Sequence, residues 1–161
     1  MAGKFNSQFM KIVLQQDEFI AQLNTILMPE AQFKDLEPSM PSLFFIAHWI
    51  NFSEDPVEMM DMLMTHLTEG VLPQCMQDKK YKIFTNCMEL LHSVTVSISS
   101  IRATERLFND RKLYDFILAL NKSSDKQSFL GGLFKSKDAK KDAQEASLRL
   151  LTLWTDVTMV Y

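Results

Sequence analysis

Residues 55–70 read Asp55-Pro56-Val57-Glu58-Met59-Met60-Asp61-Met62-Leu63-Met64-Thr65-His66-Leu67-Thr68-Glu69-Gly70 and carry the signals of one helix. Asp55 can cap the N-terminus. Pro56 suits the first helical position, where its missing N–H would have had no partner. Glu58 falls in the first turn, where the positive end of the helix dipole favours an acid. Val57, Met60, Leu63, Met64 and Leu67 recur at three- and four-residue spacing and form one apolar stripe. Gly70 is expected to end the helix in a left-handed cap, with Val71 or Leu72 making the accompanying apolar contact.

The same period extends to both sides. Residues 6–27 repeat Phe9, Ile12, Val13, Ile20, Leu23 and Leu27 until Pro29. Residues 30–37 read as a short acidic turn. From Pro41 to Phe52 little polar face remains, so a central helix is expected there, with Trp49 in the core. A buried strand is the alternative, since a short apolar run does not settle its own period. After Pro73 comes a helical turn. A long helix over 79–98 turns Tyr81, Phe84, Cys87, Met88, Leu91 and Val94 inward. Residues 100–109 and 111–121 form a helix pair, and a last helix runs from about Asp138 through Ala143, Ala146, Leu150, Leu153 and Trp154.

A chain of 161 residues is the size of one ordinary domain and can bury roughly 70% of its unfolded surface. Its 47% hydrophobic and 23% charged residues are those of an average globular protein. Only 4 Gly and 5 Pro are present, too few for the turns of a sandwich or a doubly wound sheet. The expectation is therefore all-α: a right-handed superhelix or irregular bundle of about seven to nine helices. It forms a single interaction domain over 1–161, whole or as one part of a longer protein. Residues 122–138, with Gly131-Gly132 among lysines, are expected to be a mobile loop.

Net charge is −3, which argues against nucleic acid as the partner. The charge is uneven. Residues 1–70 hold 3 basic and 10 acidic side chains, residues 71–161 hold 14 and 10. Such a division can orient a partner. Cys75 and Cys87 form no disulfide framework. There is neither a signal-peptide core nor a membrane-length apolar run. A cytoplasmic protein is expected, peripheral at membranes in one reading.

No motif carries an obvious chemistry. The glycines lie at 3, 70, 131 and 132 and make no phosphate loop. Neither Glu58 nor Asp61 stands three or four residues from His66, the carboxylate–histidine spacing of a helical metal site, so neither metal nor cofactor is expected. Cys87 and His92 could serve a thiol hydrolase, against which Cys87 lies on the apolar stripe of its helix. Arg102, Arg106, Arg111 and Lys112 cluster at one inter-helix turn and suit an acidic peptide or a phosphorylated head group. Met59, Met60, Met62 and Met64 cannot all face one core. Met59 and Met62 are thus candidates for a partner groove, since Met repacks easily. Phe129, Leu130, Leu133 and Phe134 with Lys135 and Lys137 could meet an anionic membrane or fold back as a loop.

Residues 80–121 carry one further pattern. Cys87-Met88-Glu89-Leu90-Leu91-His92-Ser93-Val94 leads to Glu105-Arg106-Leu107-Phe108-Asn109-Asp110, and the chain restarts at Lys112-Leu113-Tyr114-Asp115-Phe116-Ile117-Leu118-Ala119-Leu120. This resembles an armadillo-type repeat. With Ala146-Ser147-Leu148-Arg149-Leu150-Leu151-Thr152-Leu153-Trp154 it is also similar to the later helices of VHS and ENTH domains. The usual armadillo glycine before the third helix is absent, and Arg111 and Lys112 stand there. The resemblance implies a scaffold or adaptor that binds peptides, small GTPases, ubiquitin or phospholipids.

The functional expectation is a non-catalytic interaction or adaptor module in membrane traffic or cytoskeletal signalling. The alternatives are a structural subunit that buries a Met-rich face in a larger complex and, behind it, the thiol hydrolase.

Overall fold

The computed structural model describes residues 17–28, 40–122 and 138–160. The chain divides into two compact units, Met1–Glu37 and Pro38–Tyr161. In the first, residues 17–27 are helical (α1) and bury Phe19, Leu23, Ile26 and Leu27 along one side. The expected start of that helix and the turn at 30–37 lie outside the described residues.

The second unit is all-α, with no strand among the described residues. Its first helix, α2 (Met40–Phe52), settles the question of helix against strand. It buries Leu43, Ile46, Ala47 and Ile50. It is not buried all round, as its composition suggested. Phe44, Phe45 and Phe52 are exposed, and Trp49 is half-buried rather than a core residue. The reason is that α2 packs on its aliphatic side, against the long helix Tyr81–Ser97 and the following helix Pro56–Thr65.

The helix α3 (Pro56–Thr65) starts as its sequence implies, with the Glu58 N–H donating to Asp55 Oδ1 at 3.1 Å. It does not stop at Gly70. A π-helical turn, His66–Val71, carries it straight into α4 (Leu72–Asp78). Gly70 takes no positive φ, so it is no left-handed cap. The physical reason is Pro73. Proline lacks the N–H for the Glu69 carbonyl and would clash with that carbonyl in a regular helix; a wider turn relieves both problems. Within it the Leu72 N–H donates to the Leu67 carbonyl, five residues back. The left-handed cap falls instead on Lys79, at φ 56°.

The long helix α5 (Tyr81–Ser97) is the hub. It buries nine side chains, from Phe84 to Thr95, and its β-branched tail stays helical because packing outweighs propensity. Ser100 caps α6 (Ile101–Phe108) by accepting from the Ala103 N–H at 3.2 Å. Asp110 does the same for α7 (Arg111–Lys122), accepting from the Leu113 N–H at 3.0 Å. The last helix, α8 (Asp138–Val160), lies along α5 and buries Ala143, Ala146, Leu150 and Trp154. The Trp154 ring sits 5.2 Å from Phe108 and 5.6 Å from Tyr114, centre to centre. Asn51 ties the end of α2 to the break after α5. Its amide donates to the Ser97 carbonyl at 2.8 Å, and the Ser99 N–H donates to its Oδ1 at 3.0 Å.

Candidate functional site

Two members of the basic cluster are tied to acids. Arg106 Nε–H donates to Asp61 on α3 and its Nη1–H to Asp110, both at 2.8 Å. Burial opposes its charge, but the hydrogen bonds it donates to Asp110 and Asp61 prevail and hold the guanidinium firmly protonated. Lys112 Nζ donates to Glu69 of the π turn at 2.7 Å, a bond that raises its pKa. Thus two of the four cations brace α6 and α7 against the acids of α3 and its extension. Arg102 and Arg111 remain exposed.

Met59 is 8% exposed and is therefore not part of an open groove, a correction to the sequence reading; Met62 is half-buried. The helix α3 is covered on two sides, by α2 and by α6. Met60 and Met64 are buried as well.

Cys87 is fully buried, and burial, with Cys75 nearby, pushes its thiol well up. The Cys75 thiol is pushed up to about 11, again chiefly by burial. A nucleophilic cysteine needs the opposite, a stabilised thiolate. His92 lies five positions on from Cys87, about 140° around the same helix, and opens on another side. The His48 and Phe52 rings are in contact, 4.4 Å centre to centre. Among the described residues no group of three or more His, Cys, Asp or Glu could hold a metal ion.

Phe129, Leu130, Leu133, Phe134, Lys135 and Lys137 lie outside the described residues, as does most of the expected loop 122–138. Among the described residues no helix is long and apolar enough to cross a membrane.

The structure adds a surface that residue counting missed. Opposite the aliphatic stripe of α2, Phe45, His48, Trp49 and Phe52 recur at three- and four-residue spacing, with Phe44 beside them. Phe45 is 49% and Phe52 77% exposed. The Phe45 and Trp49 rings meet edge to face at 5.6 Å. The helix carries no charged side chain. The signal was present in the sequence as two interleaved stripes, one aliphatic and one aromatic.

Compared with protein-family models, with curated proteins and with solved structures, the sequence matches none of them.

Proposed function

We propose that this chain is a non-catalytic protein-interaction module, an adaptor whose contact surface is the aromatic face of α2. Exposed Phe45 and Phe52, with half-buried Trp49 between them, carry the reading. Large aromatic side chains supply most of the energy of protein interfaces, and a contiguous row of them in water signals a covered surface in the working assembly. Rings already held edge to face against each other lose little freedom on binding. The uncharged character of α2 fits an uncharged, apolar ridge of a partner protein better than an acidic peptide. The resemblance to adaptor domains of the armadillo and VHS/ENTH type points the same way.

The test is a photo-crosslinking residue placed at Phe52, with the same residue at exposed Asp115 as control. A discrete crosslinked partner that disappears in Phe45→Glu is the expected result. Equal crosslinking from both positions, or no dependence on Phe45, overturns the reading. A crosslink to a second copy of the chain would make it a self-associating subunit instead.

A further inference from the structure

We propose that the groove between α5 and α8 docks a basic amphipathic helix of another protein. This does not rest on the aromatic face of α2.

The inner side of α8 is buried through Ala143, Ala146, Ser147, Leu150 and Trp154. Beside it, Glu145, Leu148, Arg149, Thr152 and Asp156 recur at three- and four-residue spacing and stay outside the core. With Leu153, and with His92 of α5 as the facing wall, they line an open trough of about 580 Å³. Its floor is apolar. Leu148 is 53% exposed at mid-length. The Thr152 hydroxyl donates to the Leu148 carbonyl at 2.8 Å, so its polar atom is engaged within α8.

The charges decide the occupant. Arg149 is paired with Glu89 across the α5–α8 seam, which removes the one cation lining the trough from competition. Glu145 and Asp156 stand near its two ends, exposed and in no ion pair with a described residue. They are eleven positions apart, about 16 Å along the helix axis. An apolar floor between two carboxylates complements a helix with Lys or Arg at about that spacing and a leucine-like anchor between them. The trough's openness also suits a helix, since small-molecule sites enclose most of their ligand.

The probe is a displayed library of helical peptides about 18 residues long, long enough to span both carboxylates. It is selected on the whole chain and counter-selected on Leu148→Glu. The expected winners carry basic residues about eleven positions apart around an apolar one. They should bind about tenfold or more weakly to Leu148→Glu and to the double variant Glu145→Lys, Asp156→Lys. Binding should weaken as salt rises from about 0.05 to about 0.3 M, because the end contacts are screened. Replacing their basic residues with Glu should restore binding to the double variant. All three positions are exposed, so circular dichroism should match the unaltered protein. Winners without basic enrichment, or no peptide that distinguishes Leu148→Glu, overturn the proposal. So does self-association that Leu148→Glu abolishes in sedimentation, since the occupant would then be a second copy.

Discussion

The indole N–H of Trp154 donates to the Thr95 hydroxyl at 2.9 Å, and that hydroxyl donates onward to the Leu91 carbonyl at 2.7 Å. Both side chains are buried, so the pair closes α8 onto α5 with a polar relay inside an apolar seam. Thr95→Val keeps the shape and removes the acceptor, leaving the indole N–H buried and unpaired. Urea denaturation should show a loss of about 1–3 kcal/mol. A loss below about 0.5 kcal/mol would mean that the relay contributes nothing to stability.

Asp110 serves two partners at once. Its Oδ1 accepts from the Leu113 N–H and its Oδ2 from Arg106. Asp110→Ala removes the α7 cap and leaves Arg106 with Asp61 alone. The expected destabilisation is about 2–4 kcal/mol. Asp110→Asn keeps a neutral acceptor for the cap and should cost less. Equal losses in the two variants would assign the whole effect to the charge.

Gly70 and Lys79 have conformations suited to each other's residue type. Gly70 is helical, and a Cβ built there meets nothing closer than His66 Nδ1 at 3.9 Å. Gly70→Ala should therefore stabilise by about 0.4–1 kcal/mol. Lys79 holds φ 56°, where glycine is favoured, and Lys79→Gly should stabilise by roughly 1 kcal/mol. Thermal melts of both variants and their double check this. A drop in melting temperature for Gly70→Ala would restore the terminating role that the sequence suggested.

Burial lowers the pKa of His66 from its ordinary 6.5. As pH falls through that value the unfolded chain takes up a proton that the folded chain resists. The unfolded state then binds more protons, so stability is full above pH 6.5 and declines as acid drives the pH toward the lower folded pKa. His66→Gln should flatten this part of the profile, measured by denaturation from about pH 7.5 to about 5.5. Parallel profiles for the two proteins would show that His66 is not its source.

The helices were legible because period and capping agreed. Asp55, Pro56 and Glu58 marked the start of α3, and of the positions expected to face inward on α5, Phe84, Cys87, Met88, Leu91 and Val94 are buried while Tyr81 is half-buried. Two features were hidden by competition between local signals. Gly70 reads as a stop until Pro73, three residues on, is seen to be absorbed by a wider turn. Composition alone gave α2 as core, whereas the separation of aliphatic from aromatic positions assigns it two sides. The basic cluster was legible as a cluster, but its partners Asp61 and Glu69 lie more than forty residues away in sequence. Spacing carries no information about such pairs.

The π turn at His66–Val71 also sets the angular phase of everything after it. A π turn takes more residues per revolution than an α turn, so side chains beyond it lag by roughly one residue's share, about 100°. Counted at regular α rotation from Met60, Leu72 would point about 120° away from the buried stripe. The lag brings it back, with Cys75, to the side where both are buried. Deleting Gly70 would remove the residue that the wider turn absorbs: Leu72 would stand eleven positions from Met60, about 20° away at regular α rotation, and would stay on the buried side with Cys75. The deletion would instead set Pro73 in a regular helix against the carbonyl four residues before it, the clash that the extra residue relieves.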